Sequence, residues 1–477
     1  MIASPTSPAL YEQVAQKLEK LIRSGTLRPG DRVPSVRRAS EQHGVSVTTA
    51  VQAYLELENR GLIEARPKSG FYVKVPMRES LLEPLTSRPA RAATHVGVGS
   101  LHSRLFEAAR MPDVVPFGAA SPSAELLPVA KLSRILAATA RQAGGRGVSY
   151  AMPPGTEQLR RQIARRSLDW GTNLSPDEII TTCGGTEALA LCLRAVTKPG
   201  DVVAIESPTY FGVLQAIQEL GLKVLEIPMH PRTGMDLDAL ESALKSRRVA
   251  ACLSVPNFSN PLGSLMPDEH KTRLLEIIAR YEVPLIEDDI YGDLHFGAHR
   301  PRVVQAGDKT GLVMLCSSFS KTLAPGYRVG WVAPGRYFEK VKALKLTSTL
   351  ATATLPELAI ADFVANGGYD HHLRSIRRTY AEQIQKVSHA IAESFPAGTT
   401  ITRPAGGFVL WVGLPPKVSA LELHERAMAE KISVAPGPMF SAKQEFANFI
   451  RISCGHPWSS RVERAIGVLS YLVKQMA

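Results

Sequence analysis

One stretch of this 477-residue chain gathers the most reactive residue types: Cys316-Ser-Ser-Phe-Ser-Lys321-Thr-Leu-Ala-Pro-Gly-Tyr-Arg328-Val-Gly-Trp331. A lysine just after a buried strand is partly stripped of water, which disfavours its ammonium form and leaves an amine able to attack an aldehyde. Ser318, Ser320 and Arg328 around it offer charge-assisted hydrogen bonds to a dianionic phosphate. Schiff-base chemistry beside a phosphate is what these residue types in this order would perform. An isolated lysine of this kind is more simply a loop residue on the surface, so the weight rests on its companions.

Four companions stand elsewhere in the chain. Thr182-Cys-Gly184-Gly185-Thr186 follows a predicted strand and opens a helix, where free N–H groups and the helix dipole form a phosphate seat. Pro284-Leu-Ile-Glu-Asp288-Asp289-Ile-Tyr291 places carboxylates at the C-terminal end of a buried strand. A pyridine ring that serves as an electron sink needs such a carboxylate to keep its nitrogen protonated. Pro256-Asn-Phe-Ser-Asn260-Pro261-Leu-Gly263 is a polar turn able to offer an amide to a ring hydroxyl. Phe449-Ile-Arg451-Ile-Ser453 sets an arginine in an apolar strand, where an unpaired cation is costly and a bidentate carboxylate is the natural partner.

The elements that must hold these groups follow from the hydrophobic pattern. Apolar runs at Glu178–Thr182, Val202–Ile205, Lys223–Ile227, Ala250–Val255, Pro284–Glu287 and Val313–Ser317 predict buried strands. Helical patterns at Glu187–Thr197, Phe211–Leu220 and Asp268–Tyr281 fall between them, which predicts a largely parallel sheet covered on both faces. The segment from about 350 to 477 predicts a smaller α+β lobe, with a helix over Gly368–Phe395.

The N-terminus reads differently. Leu10, Val14, Leu18, Leu21 and Ile22 mark an amphipathic helix, a second short helix spans Val36–His43, and Ser46 caps a third that runs to Arg60. Ala50, Ala53, Tyr54 and Leu57 form the core stripe of the third helix and leave Ser46, Val47, Thr48 and Thr49 outward. Leu62–Arg66 and Gly70–Val75 flank Pro-Lys-Ser as a hairpin or wing. This is helix-turn-helix spacing, in which the N-terminal residues of the second helix meet DNA. Spacing alone also fits a small helical protein-interaction module.

The segment PGDRVPSVRRASEQHGVSVTTAVQAYLELENRGLIEARPKSGFYV resembles the winged helix-turn-helix of the GntR family of bacterial regulators over residues 8–76. The resemblance implies double-stranded operator DNA as partner, contacted by Arg37, Ser46, Thr48, Thr49, Lys68 and the Gly70 wing. Many relatives carry Arg where this chain has Val47 and Val51, so methyl contacts to thymine are expected in place of guanine readout. Residues 115–477 resemble the aminotransferase class I/II family of fold type I, a large mainly parallel sheet domain with a small α+β lobe. That resemblance implies pyridoxal 5'-phosphate carried by Lys321, with Arg328, Ser318, Ser320, Gly185 and Thr186 around its phosphate. It also implies Asp288 on the ring nitrogen, Tyr291 and Asn260 on the ring oxygen, Tyr210 stacked on the ring, and Arg451 with Asn260 on the carboxylate of an amino acid. Tyr150 would reach the phosphate of a neighbouring subunit, which implies a homodimer; for Tyr150 and Tyr210 simple core packing is the alternative. Phe117-Gly118-Ala119-Ala120 and His295 are candidates for the ligand's side-chain pocket.

A winged helix joined through a linker (77–114) to such a domain is the arrangement of the MocR subfamily of transcription regulators. It implies a regulator that senses an amino acid or amine by external aldimine formation. Two alternatives stay open: a working aminotransferase with a fused DNA-binding domain, and a sensor of pyridoxal phosphate itself. Bulk composition sets outer limits. Charged residues make up 21% and apolar residues 44%, which excludes fibrous and disordered classes. No apolar run reaches membrane-spanning length, and five scattered cysteines argue against zinc or a disulfide framework and for a cytoplasmic setting. The net charge is +12, of which +5 falls in residues 1–78 (12 Lys/Arg against 7 Asp/Glu), where a polyanionic partner would bind.

Overall fold

The computed structural model describes residues 9–24, 26–27, 31–59, 62–66, 69–73, 81–90, 92–96, 101–246, 248–366 and 368–477. The chain divides into two compact units, Met1–Ser80 and Leu81–Ala477.

In the first unit, helices Leu10–Arg23, Val36–His43 and Val47–Asn59 precede an antiparallel pair, Ile63–Arg66 with Gly70–Val73. Ser35 begins the second helix by accepting the Arg38 amide at 3.3 Å, and Gly44 ends it in the left-handed conformation at φ 61°. Ser46 starts the third helix by accepting the Thr49 amide at 3.1 Å. The expected stripe of Ala50, Ala53, Tyr54 and Leu57 is fully buried, and Ala53, Tyr54 and Leu57 join Val14, Leu18, Ile63 and Val73 in one core. Tyr54 spends its hydroxyl on the Pro34 carbonyl at 2.6 Å, so a polar tip is tolerated in that core.

The second unit is built on a nine-stranded sheet. Five strands run parallel in the spatial order Lys223–His230, Val202–Ser207, Ala251–Ser254, Leu285–Asp288 and Val313–Ser318. Beyond Val313–Ser318 the chain turns back as Gly330–Ala333, antiparallel to it and to Ile180–Thr182. This strand begins at the end of the lysine motif, where preceding Gly, Pro and Tyr turn residues hid it from the pattern. Ser318 faces Gly330 and Gly330 faces Thr182, so the strand brings the lysine segment and the phosphate loop together.

The small lobe has an antiparallel sheet in the order Thr400–Ile401, Val409–Gly413, Phe449–Ser453 and Ala435–Pro436. Helices Gly368–Ser394, Ala420–Ala429 and Ser460–Met476 belong to the same lobe, the last two buried against the sheet's apolar core. The expected linker over 77–114 needs correction. From Leu81 onward it belongs to the second unit: Thr94–His95 joins the large sheet beside Lys223–Val224, and Leu101–Ala108 is a helix with Leu105 buried. Among the described residues no helix is long and apolar enough to cross a membrane.

Candidate functional site

The five parallel strands end at one edge of their sheet, and the loops leaving those ends carry the reactive side chains, where ligands sit in open α/β sheets. Val313–Ser318 leads into Lys321, whose Nζ donates to the Ala120 carbonyl at 2.6 Å. Burial pushes this amine down from its ordinary 10.5 to about 8; the Arg451 cation pushes the same way and Asp288 opposes it. A neutral, nucleophilic amine is therefore available near neutral pH.

Leu285–Asp288 leads into two adjacent carboxylates, and their surroundings separate them. Asp289 pairs with the buried Arg300 guanidinium and accepts Asn257 Nδ2 at 2.7 Å. Asp288 is supported by the Ile290 amide, and burial, reinforced by the Asp289 charge, raises it to about 7. Asp288 is thus the carboxylate that could face a ring nitrogen, while Asp289 anchors the loop through Arg300 and Asn257.

Asn260 reaches two ways. Its Oδ1 accepts Arg451 Nη1 at 3.2 Å, and its Nδ2 donates to the Tyr291 hydroxyl at 3.5 Å. Arg451 is fully buried, donates Nη2 to the Gly118 carbonyl, and has no hydrogen-bond partner for Nε among the described residues. Burial lowers it to about 10, and the guanidinium carbon lies 5.4 Å from the centre of the Phe440 ring. A buried cation with an open N–H calls for an anionic guest.

The phosphate seat is shaped by two glycines. Gly184 adopts φ 79° at the mouth of helix Gly185–Val196, and a Cβ there would collide with Arg328 Nη2. A Cβ on Gly330 would lie 2.5 Å from the Gly184 carbonyl carbon, against backbone. Arg328 is thereby laid along the loop, with Nη2 donating to the Cys183 carbonyl at 3.3 Å and Nη1 to Ser320 Oγ at 3.2 Å. Ser318 Oγ accepts the Ser320 amide at 2.9 Å. Gly185 is buried and Thr186 is exposed in the first turn of the helix.

Lys321, Asp288, Tyr210, Tyr291 and Arg451 lie within electrostatic reach of one another, and Asn260 is bonded to two of them. Tyr150 stands apart, 75% exposed in the single chain. Gly118 and Ala120 turn their carbonyls onto Arg451 and Lys321, whereas His295 bonds the Gly297 carbonyl at 2.8 Å and does not line the cavity beside Lys321. Sequence reasoning missed Leu105, Phe106 and Phe211, which wall that cavity. It also missed Tyr369 and His372, which hold Thr322 through its Oγ1 at 2.8 Å and its carbonyl at 2.7 Å, fixing the residue next to the lysine. An apolar stripe at helical spacing was the available signal for Leu105; nothing local marks Tyr369.

On the first unit, Ser46, Val47 and Thr48 are exposed at the N-terminus of the third helix, and Arg37 is exposed on the helix before it. Ser46 and Thr49 share a hydrogen bond of 2.8 Å as part of the helix cap. Gly70 opens the wing strand at φ 104° with the Arg32 guanidinium against it, and Lys68 lies outside the described residues.

These residues fit pyridoxal 5'-phosphate. A lowered lysine suits its aldehyde, a carboxylate pushed up to about 7 suits its pyridine nitrogen, and a glycine-shaped helix N-terminus with an arginine along it suits its phosphate. The open Nε of Arg451 suits the carboxylate of an amino acid partner.

Comparison with known proteins agrees with both units. Residues 112–469 match the model for aminotransferase class I and II, and residues 10–73 match that for bacterial regulatory proteins of the gntR family. The chain is 40% identical over 468 residues to the uncharacterized HTH-type transcriptional regulator YdcR of Escherichia coli, covering 98% of this chain and 99% of that one. It is 29% identical to the probable rhizopine catabolism regulatory protein MocR of Rhizobium meliloti, over 80% and 77% of the two chains. Among solved structures it resembles LysN, the α-aminoadipate aminotransferase of Thermus thermophilus, with a TM-score of 0.74 at 28% identity, covering 80% of this chain and 96% of that one. Two family matches in this order, on a site built for the cofactor, settle the classification: the chain belongs to the aminotransferase class I and II family, fold type I with pyridoxal 5'-phosphate as cofactor, in the MocR-type fusion behind a GntR-family helix-turn-helix.

Proposed function

We propose that this transcription regulator binds operator DNA as a homodimer in the cytoplasm and adjusts that binding to an amino acid or amine captured at the cofactor on Lys321. When bound, pyridoxal phosphate supplies an aldehyde carbon to which amines add reversibly, and a ring that withdraws electrons. The chain's own residues do the rest. The lowered Lys321 would supply a fraction of neutral amine, Asp288 would hold a proton at the ring nitrogen, and Tyr210 would cover one face against water. Arg451, steadied by Asn260 and the Gly118 carbonyl, clamps the ligand's carboxylate. Tyr150, exposed on the single chain, is assigned to the partner's phosphate.

The observation that carries the regulatory reading is the course of residues 81–90 and 92. The Leu82 carbonyl accepts the Ile401 amide at 3.0 Å and the Leu81 carbonyl accepts Arg403 Nη2 at 3.1 Å, both from the small lobe. Ser87 exchanges bonds with Met229, and its hydroxyl donates to the Ser207 carbonyl at 2.5 Å, both in the large sheet. Ser207 opens the loop that carries Tyr210, and Lys443 Nζ ties down the Ala92 carbonyl at 3.1 Å. The segment that follows the DNA-binding unit in the chain therefore straps both lobes, so a ligand that moves one lobe against the other acts on it. Switching requires the ligand to favour one arrangement by about 1–3 kcal/mol; equal affinity for both moves nothing.

A second reading, turnover as an aminotransferase, is favoured by the lowered Lys321, which suits a base for the 1,3-proton shift. One experiment separates the readings. Cofactor-loaded protein is mixed with amino acids and 2-oxoglutarate while keto-acid formation, near-visible absorbance and promoter DNA affinity are followed together. An absorbance change with altered DNA affinity and no sustained keto-acid production is expected. Multiple turnovers at ordinary enzyme rates with unchanged DNA affinity would overturn the regulatory reading. A DNA response to cofactor alone, unaltered by amino acids, would make the protein a cofactor sensor.

A further inference from the structure

The third helix of the DNA-binding unit, Val47–Asn59, turns an uncharged face outward in its first two turns. Burial of Ala50, Ala53, Tyr54 and Leu57 fixes the rotation of the helix about its axis. Val47 and Val51, 52% and 40% exposed, therefore form one outward row, and the exposed Thr48 and Gln52 form the row beside it. Ser46 and Thr49 are engaged with each other in the helix cap at 2.8 Å. The whole helix contains no Lys or Arg, and its two acids, Glu56 and Glu58, stand beyond the second turn. Exposed cations precede it in the chain, at Arg32, Arg37 and Arg38.

We infer that this helix reads adjacent A·T base pairs, with Gln52 bonded to adenine N6 and N7 and with Val47 and Val51 packed on thymine methyl groups. The inference rests on the operator-binding reading above and names the class of sequence that site takes. In the major groove each base calls for a different side chain: guanine for Arg or Lys, cytosine for Asp or Glu, adenine for Asn or Gln, and thymine for an apolar group against its methyl. Of these four kinds, only the last two stand on this face, and Thr48 can serve either pair. A G·C pair opposite the valines would have its polar edge stripped of water against methyl groups, which is costly. One helical turn is about 5.4 Å and one base step about 3.4 Å, so valines a turn apart reach neighbouring pairs. Attraction to the phosphate backbone is left to cations outside the helix, which add salt dependence and not this preference.

The test uses full-length protein loaded with pyridoxal phosphate to select binding sites from a pool of random-sequence duplex DNA. Affinities for the selected duplex are then measured at fixed salt. Each selected half-site should hold adjacent A·T pairs, and the same selection with Gln52→Ala or Val51→Ala should lose the preference for adenine or for thymine at one of them. Deoxyuridine in place of those thymines removes only the methyl group and should weaken binding by about fourfold each, a penalty that Val51→Ala erases at its own position. Gln52→Ala should cost about tenfold or more on the selected duplex. G·C pairs at the positions where the two variants act, or deoxyuridine duplexes bound as tightly as thymine ones, would overturn the inference and leave the regulator reading intact. Variants that still select the unaltered sequence would overturn it too, and a shift in their oligomeric state would mark the face as a protein contact. A pool from which no sequence is enriched would bring down operator binding, and the inference with it.

Discussion

Replacing Lys321 by methionine should stabilise the cofactor-free protein while ending its ability to hold the cofactor covalently. Methionine keeps the length and apolar stem of the lysine and removes the charge. The wild-type ammonium is disfavoured in place: burial and the Arg451 cation lower it from 10.5 to about 8. At about 1.4 kcal/mol per pH unit, that gap corresponds to a folding penalty of about 3 kcal/mol whenever the lysine is protonated in both states. The hydrogen bond to the Ala120 carbonyl at 2.6 Å returns about 1 kcal/mol of net stability, which methionine forfeits. The expected gain is thus about 2 kcal/mol at pH 7. Its pH dependence has a definite sign. The penalty is complete below pH 8, shrinks as the folded-state amine loses its proton while the unfolded one keeps it, and is gone above about 10.5. The wild type should therefore close most of the gap between pH 8 and 10. All four tryptophans (Trp170, Trp331, Trp411 and Trp458) lie in the larger unit, so denaturant unfolding followed by their fluorescence reports on the unit that holds the lysine. A neutral or destabilised variant at pH 7, or a difference that is flat from pH 7 to 10, would refute the claim that Lys321 is held against its preferred charge.

Other substitutions probe the same frame. Gly330→Ala would set a Cβ 2.5 Å from the Gly184 carbonyl carbon, and since neither backbone can yield cheaply, cofactor affinity should fall about tenfold or more in an absorbance titration. Asp289→Asn should cost about 3 kcal/mol in unfolding experiments, because the buried Arg300 loses one of its two carboxylates. Asp288→Asn should stabilise the cofactor-free protein at pH 7, because burial raises this carboxyl to about 7 and its charge is disfavoured on folding, and it should abolish the ligand-induced absorbance change, which separates neighbours in sequence by their roles. Ser87→Ala removes the bond to the Ser207 carbonyl, so amino acid binding should persist while its effect on DNA affinity shrinks by about threefold to tenfold.

The parts of this molecule that were legible in the sequence are those whose partners are near in the chain or whose residue type is costly in the wrong place. The helix-turn-helix could be read because a serine cap, a left-handed glycine and a four-residue apolar stripe are all local. Helices Val36–His43 and Asp268–Tyr281 have the predicted bounds for that reason. The lysine motif and Arg451 could be read because a charged side chain between apolar strand residues has no cheap structural explanation. Asp289 and its partner Arg300 are eleven positions apart, and Tyr369 sits 47 positions from the Thr322 it holds. No spacing rule reaches across such intervals.

The strap failed to appear for a different reason, and it bears on how function is read in a fused chain. Half of residues 81–92 are Pro, Arg or Ala, two of each, with no helical or strand periodicity, the composition of a loose tether. Yet residues 81–90 and 92 dock largely through backbone groups, the carbonyls of Leu81, Leu82, Ala90 and Ala92 and the amide of Ser87, with the Ser87 hydroxyl and one ion pair, Glu83 with Arg232, added. Every residue type supplies a carbonyl and all but proline an amide, so docking of this kind leaves almost no mark on composition. An amphipathic helix used as a connector would advertise its buried face; an extended strap does not. For the sensing role proposed above, the same attachments would make it a suitable transmitter. Each bond contributes only about 1 kcal/mol, so the strap can change partners at a cost comparable to the coupling a ligand must supply. In that proposed role, such a connector would be tight enough to follow the lobes and weak enough to be released by them.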